Sequence, residues 1–323
     1  MTDHTEVVIG IDIGGTSTRA VVVGRNGEVG PVSRAPGANP STRTRAELVK
    51  AARSAVRIAI ESFSGETLRG LMISALVVGM AGLDPTRRTD FEDLLGDALK
   101  PIASLASTIA PVLHTDAEIM FAAGTRATNG IVLIAGTGAI AARVASWREV
   151  ATVDGHGWRL GDYGSGYSIG AGVVKRVLNH LDGRDMPTTV TPLVLDRLGL
   201  NPKAETTQDS TNLRWAIVRA TMPMHPSEIA SFSDVVVQAH ADADPAAVAL
   251  IDAAADELSR TVLALTPGPQ EPIVLGGGML AAGPLVDAVI ARLRNHSLQP
   301  TPLSVEPVMG AIRIARASAR WPS

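Results

Sequence analysis

An apolar strand, a glycine turn and a second apolar strand follow one another twice along this chain. The first copy spans residues 7–23 with Gly14-Gly15 at its centre, and the second spans residues 131–145 with Gly136-Thr137-Gly138 at its centre. A third short run follows each copy, and in the first it is preceded by Asn26-Gly27, a pair that favours the positive φ angles of a tight hairpin. We therefore predict two antiparallel three-stranded units and, with them, an internal repeat.

The segments around these units predict an α/β protein. Its length of 323 residues exceeds the usual size of one hydrophobic core, and its hydrophobic content of 46% supplies ample core material. We predict one domain from residues 1–115 with the C-terminal helix 306–323, a larger one from residues 116–305, and a cleft between them that the glycine turns face. Helices are predicted over 45–63, 86–99, 163–181, 187–198, 212–220, 226–241, 245–265, 280–295 and 308–319, and further strands over 71–78, up to 115 and over 272–275.

Composition excludes several classes of partner. The formal net charge is −3 and there is no dense block of lysine and arginine, so the chain lacks the electrostatic footprint of a nucleic-acid-binding protein. It has no cysteines, which excludes disulfides, iron–sulfur clusters and thiol nucleophiles. The first residues are polar and acidic, and no apolar run reaches about 20 residues, so we expect a cytoplasmic protein without membrane insertion.

The first glycine turn has the composition of a phosphate-binding loop. Gly14 and Gly15 let backbone N–H groups approach phosphate oxygens, and the hydroxyls of Thr16 and Thr18 are further donors. The carboxylate of Asp12 suits a magnesium ion that is held through water. A plain hairpin turn is the alternative, and a glycine pair taken alone favours it.

Two later glycine clusters suit the rest of a nucleotide. Gly136-Thr137-Gly138 offers a second phosphate cradle, and a chance turn need not recur at the same place in a repeated unit. Gly276-Gly277-Gly278 follows a late strand and lets the backbone approach adenine or ribose, although Gly triplets also form ordinary turns. The predicted ligand is therefore a polyphosphate with a flat group such as adenine or ribose, accompanied by Mg²⁺.

Asp116 is the candidate catalytic base. It follows a short strand and starts a helix, and a carboxyl group with a reference pKa of about 3.9 is ionised at neutral pH and able to accept a hydroxyl proton. Asp is also a preferred helix N-cap, which is the structural alternative. Residues 154–166 contain many glycines between charged and aromatic residues, which predicts a backbone wrapped around a small polar ligand or else a tight structural loop.

These loops in this order resemble the sugar kinase, Hsp70 and actin superfamily. More narrowly, residues 12–18, 115–117 and 136–138, together with Gly157-Trp158 and Gly161-Asp162-Tyr163-Gly164-Ser165, look like the BadF-type ATPase family, which contains N-acetylglucosamine and glucosamine kinases. The resemblance spans nearly the whole chain. It implies two actin-like (ribonuclease H-like) domains with a central cleft.

The resemblance also implies roles for individual residues. Asp116 would be the catalytic base, and Asn39, Asp116, Gly157 and Asp162 would lie around an amino sugar. Asn39 precedes a proline, and an Asn-Pro pair also suits a turn. Tyr163 stands where the family usually has Glu, a departure that concerns the sugar preference. Relatives suggest a homodimer.

The absence of cysteines separates the chain from two relatives in the superfamily. One is the branch of ATPases that activate acyl-CoA dehydratases and hold an iron–sulfur cluster through cysteines. The other is the repressor and kinase group, which carries a cysteine zinc motif near its sugar site.

We therefore expect transfer of the γ-phosphoryl group of magnesium ATP to a hydroxyl, in the first instance O6, of glucosamine or N-acetylglucosamine. An acidic neighbour of the 2-position would favour glucosamine, and an apolar pocket would favour N-acetylglucosamine. Two alternatives stay open, namely an ATPase switch that binds a sugar or partner protein without kinase activity and a structural protein of actin-like fold.

Overall fold

The protein forms two compact α/β units in a computed structural model, which describes residues 5–40, 43–64, 71–100, 110–200 and 207–321. The first unit comprises Met1–Gly130, Val144–Val150 and Leu303–Ser323, and the second comprises Ile131–Arg143 and Ala151–Pro302. The first unit thus includes the helix that begins at Asp116, which the predicted boundary at residue 115 assigns to the other domain. This helix packs against the C-terminal helix of the same unit.

The first unit is built on a five-stranded sheet in the order β3-β2-β1-β4-β5. Strand β1 pairs antiparallel with β2 and parallel with β4, and β4 pairs parallel with β5. The strands are β1 (Thr5–Ile13), β2 (Ser17–Gly24), β3 (Ser33–Pro36), β4 (Leu71–Met80) and β5 (Val112–Thr115), and the helices are α1 (Arg45–Ser64), α2 (Arg88–Leu99), α3 (Asp116–Gly124) and α11 (Val308–Ser318).

Helices cover both faces of this sheet, which explains why β1 and β4 are apolar along most of their length. Alternate residues of a strand point to opposite faces. Accordingly, Val7, Ile9 and Ile11 share a core with α1 and α2, whereas Val8 shares another with α3 and α11. Asp12 therefore lies on the face that α3 and α11 cover.

The second unit repeats this strand order. Its sheet has the order β10-β9-β6-β7-β8. When the strands of each unit are counted along the chain, both sheets have the order third, second, first, fourth, fifth. The predicted internal repeat is confirmed. The strands are β6 (Gly130–Ala135), β7 (Ala139–Ala145), β8 (Arg148–Asp154), β9 (Ile273–Gly276) and β10 (Pro300–Pro302), and the helices are α4 (Gly166–Leu181), α5 (Val190–Arg197), α6 (Thr207–Thr221), α7 (Pro226–Ala230), α8 (Ser233–Ala241), α9 (Pro245–Ala264) and α10 (Pro284–Asn295).

Several predicted element boundaries are wrong, and local backbone chemistry explains them. Helix α4 begins three residues later than predicted because Ser165 is its N-cap and accepts a hydrogen bond from the Ser168 N–H at 3.1 Å. The predicted helix 226–241 is two helices, α7 and α8, and α10 begins only at Pro284, a residue preferred in the first turn of a helix.

Two short strands also differ from the prediction. Strand β3 begins at Ser33, and the run after Asn26-Gly27 forms only an isolated bridge between Val23 and Val29. Strand β10 was not predicted because its sequence contains Pro300 and Pro302. Proline cannot donate to a neighbouring strand and is tolerated at a sheet edge, where β10 lies.

Candidate functional site

The carboxyl ends of the parallel strands in the first unit bring the predicted turn and Asp116 to one edge. Ile13 of β1 lies opposite Met80 of β4, and Met80 lies opposite Thr115 of β5. The chain leaves β1 into Gly14 and leaves β5 into Asp116. In parallel sheets this edge is where ligands bind, so the register supports the predicted grouping.

The turn after β1 is held from behind by the loop that contains Asn39. The Ala38 N–H donates to the Gly14 carbonyl at 3.0 Å, and Gly37 packs so closely that a Cβ atom there would lie 2.1 Å from the Gly15 carbonyl oxygen. Gly15 and Thr16 are exposed, and Asn39 is half-buried. The structure thus brings Asn39 to the segment that carries Gly14, Gly15 and Thr16.

Thr18 does not share this exposure. Its side chain is fully buried, and its hydroxyl donates to the Pro36 carbonyl at 3.0 Å, which ties β2 to β3. The hydroxyl therefore already has an acceptor within the fold. We omit Thr18 from the phosphate-binding residues proposed below.

Asp12 belongs to a row of charged residues that crosses three strands. It lies opposite Arg19 on β2, and Arg19 lies opposite Arg34 on β3. The Arg19 guanidinium donates to Asp12 Oδ2 at 2.9 Å, and Glu306 pairs with both Arg19 and Arg34. Burial raises the pKa of Asp12 although Arg19 opposes the change, and the nearby charge of Glu306 adds to the increase.

Asp116 is the first residue of α3, but it is not the N-cap. Thr115 is the cap, since its hydroxyl accepts from the Glu118 N–H at 3.2 Å, so the structural alternative for Asp116 is wrong. The half-buried Asp116 carboxylate accepts from the Ala117 N–H at 3.1 Å. Burial, followed by repulsion from Asp12 and Glu149, raises the pKa of Asp116 to about 7, even though hydrogen bonds from backbone N–H groups lower it.

Glu118 was not predicted as a site residue. Its carboxylate is completely buried and accepts from the Thr115 N–H at 3.3 Å, so that Thr115 and Glu118 form a reciprocal capping box. The signal was present in the sequence as Thr-x-x-Glu at the start of a helix. Glu149, half-buried at the start of β8, accepts from the Thr115 hydroxyl at 3.2 Å, and burial raises its pKa.

In the second unit, the start of α4 holds the predicted phosphate turn. The Gly136 N–H donates to the Gly138 carbonyl at 2.8 Å, which closes the turn. The Gly166 N–H donates to the Gly136 carbonyl at 2.8 Å, and the Tyr167 N–H donates to the Thr137 carbonyl at 3.2 Å. Because the register pairs Ile134 with Gly276, the segment 276–278 leaves its strand beside this turn. Three predicted loops therefore meet within the second unit.

The glycine-rich loop is fixed at its base by two aspartates. Asp154 accepts from the N–H groups of Asp162 and Tyr163, each at 2.8 Å. Asp154 and Asp162 both have φ in the left-handed region, at 64° and 57°, which Asp tolerates better than most residues. Gly157 also has a positive φ, and its carbonyl accepts from the Gly161 N–H at 2.9 Å.

Asp162 joins this loop to the phosphate turn. A Cβ atom on Gly138 would lie 2.7 Å from Asp162 Oδ2, so glycine at this position lets the carboxylate approach the turn closely. The Ala139 and Gly157 N–H groups donate to the carboxylate and lower its pKa, but burial and the charge of Asp154 leave the pKa raised overall. The loop also exposes large side chains beside Asp162, namely Trp158, Leu160 and Tyr163.

Neither a protein-built metal centre nor a membrane span is found in the part of the chain that the structure describes. Those residues contain no group of three or more His, Cys, Asp or Glu that could hold a metal ion. No helix among them is both long and apolar enough to cross a membrane.

The chain belongs to the BadF/BadG/BcrA/BcrD ATPase family, whose model matches residues 9–315. It is 30% identical over 259 residues to the N-acetylmuramic acid/N-acetylglucosamine kinase of Clostridium acetobutylicum, a match that covers 80% of this chain and 78% of that protein. It is 29% identical over 224 residues to the N-acetyl-D-glucosamine kinase of Dictyostelium discoideum, with 65% of this chain and 64% of that protein covered. The chain therefore spans just under two thirds of that relative.

Solved structures show the same fold. A putative N-acetylglucosamine kinase from Chromobacterium violaceum matches with a TM-score of 0.71 at 22% identity, over 96% of this chain and 98% of that one. A ROK family glucokinase from Streptomyces griseus matches with a TM-score of 0.56 at 18% identity, over 96% of this chain and 99% of that one. The predicted actin-like α/β fold class is confirmed.

Proposed function

We propose that this protein is an ATP-dependent kinase that phosphorylates an amino sugar, either N-acetylglucosamine or glucosamine. The observation that carries the proposal is Asp116. Its half-buried carboxylate begins a helix at the same sheet edge as the turn formed by Gly14, Gly15 and Thr16, and burial raises its pKa to about 7. Membership of an ATPase family and the kinase names of the two curated relatives support the proposal.

In the proposed reaction, a sugar hydroxyl oxygen forms a bond with the γ-phosphorus of ATP while the bond from that phosphorus to the β,γ-bridging oxygen breaks and ADP leaves. Asp116 accepts the proton of the hydroxyl. A base with a pKa near the operating pH is well matched to proton transfer. Most of the rate enhancement in such a transfer comes from positioning and from neutralising phosphate charge.

We propose that the predicted glycine turns bind ATP. The backbone of Gly14 and Gly15 and the hydroxyl of Thr16 would bind phosphates from the first unit. Gly136, Thr137 and Gly138 would do so from the second, with residues 276–278 next to adenine or ribose. In these turns the carbonyl groups of Gly14, Gly136, Thr137 and Gly138 already accept hydrogen bonds within the fold.

Asp12 fits a magnesium ion that ATP itself carries. One carboxylate oxygen of Asp12 accepts from Arg19, which leaves the other for water bound to the ion. The pKa values of Asp12 and Asp116 are raised, so the fold does not fully stabilise the two ionised carboxylates. A cation bound nearby would lower both pKa values. When bound, Mg²⁺ would neutralise charge on the phosphates.

For the sugar, we propose contacts from Asn39, Asp116, Gly157 and Asp162. N-acetylglucosamine is the first substrate to test because both curated relatives carry it in their names. The exposed rings of Trp158 and Tyr163 beside Asp162 offer apolar surface to an acetyl methyl group. Phosphorylation at O6 stays part of the proposal and is tested by locating the phosphate in the product by NMR.

The test is a coupled ADP-release assay with magnesium ATP against N-acetylglucosamine, glucosamine, N-acetylmuramic acid and glucose, with a control that lacks sugar. The expected result is turnover that depends on an amino sugar and is lost in Asp116→Asn. ATP hydrolysis that no sugar stimulates would refute the kinase proposal and favour the ATPase switch. Sedimentation of the same preparation tests the predicted homodimer.

A further inference from the structure

Glu118 is the most heavily bonded carboxylate described in the first unit, and the proposed reaction gives it no chemical role. It lies two residues after Asp116 on α3 and is completely buried. Burying a carboxylate is costly unless hydrogen bonds and opposite charges compensate it. The hydrogen-bond and ion-pair partners of Glu118 therefore indicate its role.

Those partners come from three segments of the chain. Arg88, at the start of α2, donates to Glu118 Oε1 at 3.1 Å, and Arg148 donates to Oε2 at 3.2 Å. His114 Nδ1, on β5, lies 2.6 Å from Oε2. The Glu149 N–H donates to Oε1 at 3.0 Å. Although burial acts to raise the pKa of Glu118, its hydrogen bonds and the nearby positive charges hold that pKa below its usual value.

Glu118 thus ties the start of β8 onto the first turn of α3. Arg148 also donates to the Leu113 carbonyl at 2.6 Å, so the same guanidinium contacts β5. The next residue, Glu149, is held with its carboxylate on the Thr115 hydroxyl. Asp116 follows Thr115 directly and experiences the charge of Glu149.

We propose that Glu118 is a positioning residue for the transfer reaction, because its buried carboxylate fixes Asp116 and Glu149 relative to each other. The inference rests on the proposed function, in which Asp116 is the base. Because a displacement of about 1 Å in a reacting group costs up to about 100-fold in rate, Glu118 would influence turnover without touching the sugar or ATP.

The main variant is Glu118→Gln, which keeps the shape and the capping oxygen but removes the charge. We expect its kcat to fall by about tenfold to 100-fold, while KM for ATP and for the sugar change by less than about threefold. The midpoint of the rise of kcat with pH should also move. The titratable and charged groups around Glu118 are Arg88, His114 and Arg148. Those near Asp116 are Asp12 and Glu149.

The matched control is Asp244→Asn in the second unit. Asp244 is also a buried carboxylate with several donors, since it accepts from the Thr189 N–H at 2.7 Å and from the Ala246 N–H at 2.9 Å. Its loss should lower stability and leave the pH midpoint of kcat unchanged. If Glu118→Gln is folded and has wild-type kcat and pH midpoint, or raises only KM, the positioning role is refuted.

A second variant covers the case in which Glu118→Gln does not fold. Arg148→Gln removes one partner at a more exposed position and should give a smaller loss of kcat together with a shift of the pH midpoint. A variant with unchanged kcat and midpoint would contradict the proposal.

One readout does not depend on kinase activity. At pH 8.5, Asp116→Asn should change the equilibrium constant for unfolding. The factor of that change should differ by at least about threefold between the wild-type protein and the Arg148→Gln variant. Additive effects would refute the coupling. If the wild type shows no sugar-dependent turnover, the proposed function fails. The double-mutant comparison of Asp116→Asn and Arg148→Gln then decides by itself whether Glu118 has the positioning role.

Discussion

Replacing Asp116 with asparagine should stabilise the protein at alkaline pH and abolish the proposed activity. Folding raises the pKa of Asp116 from 3.8 to about 7, so between these values the folded state binds more protons than the unfolded state. Stability therefore falls as the pH rises through this window, and the full cost is present above about pH 7. Asparagine is neutral at every pH and keeps an oxygen that can accept from the Ala117 N–H.

The size of the effect follows from the change in pKa. At 1.36 kcal/mol for each pKa unit, a rise from 3.8 to about 7 corresponds to about 4 kcal/mol. Solvent screens part of this because the side chain is only half-buried, so we expect a gain of at least about 1 kcal/mol. For a domain of this size, that gain is about 2–4 °C in Tm.

The assay compares thermal unfolding of wild type and Asp116→Asn at pH 5 and pH 8.5. Asp116→Asn should gain more stability relative to wild type at pH 8.5 than at pH 5, and its sugar-dependent kcat should fall by at least about 100-fold. Asp84→Asn is the control without pH dependence, because hydrogen bonds from Thr86 lower the pKa of Asp84, so its carboxylate is ionised at both pH values and its replacement should cost the same stability at each. A difference between wild type and Asp116→Asn that is the same at both pH values would refute the electrostatic reasoning.

Three further results are expected. In wild type, kcat/KM should rise with pH through about 7, because Asp116 must lose its proton to act as a base, and a profile flat from pH 5 to 9 would exclude it. Gly37→Ala would place a Cβ atom 2.1 Å from the Gly15 carbonyl oxygen and should raise KM for ATP by about tenfold or more, measured by initial rates; an unchanged KM would count against phosphate binding there. Asp154→Asn allows the same left-handed backbone, but its amide NH₂ group would face one of the N–H groups that the carboxylate now accepts from, at the base of the Asp162 loop. The loss of that hydrogen bond should raise KM for the sugar at least about threefold, with little change in KM for ATP.

The sequence predicted the repeat, the turns and the placement of Asp116 because each is a local pattern. Apolar runs, glycine pairs and a polar residue at a strand end are visible within a few positions. The charge network around Glu118 is different, since Arg88 and Arg148 each lie 30 residues from it in sequence. Only the capping box was a local signal for Glu118.

Thr18 shows the limit of composition as evidence. The sequence places it in the phosphate-binding motif, yet alternation along β2 sends its side chain into the fold, where Pro36 accepts from it. A one-residue difference in position decides which face a strand residue occupies. Thr16 precedes β2 and is exposed, so of the two threonines it is the one that we propose as a phosphate ligand.

The two copies of the repeat prepare their glycine turns in a related way, although different elements do so. A turn that binds phosphate must direct its N–H groups at the anion and keep its carbonyl oxygens, which would repel it, occupied elsewhere. In the first copy the Ala38 N–H occupies the Gly14 carbonyl, and in the second the start of α4 occupies the carbonyls of Gly136 and Thr137. Both copies share this arrangement, which the proposal of two phosphate cradles requires. The proposed base, in contrast, has no counterpart at the same place in the second unit: β5 leads directly into Asp116, whereas β10 is followed by residues 303–307 before α11 begins. One reacting hydroxyl needs one base, while a chain of phosphates offers oxygens to more than one turn.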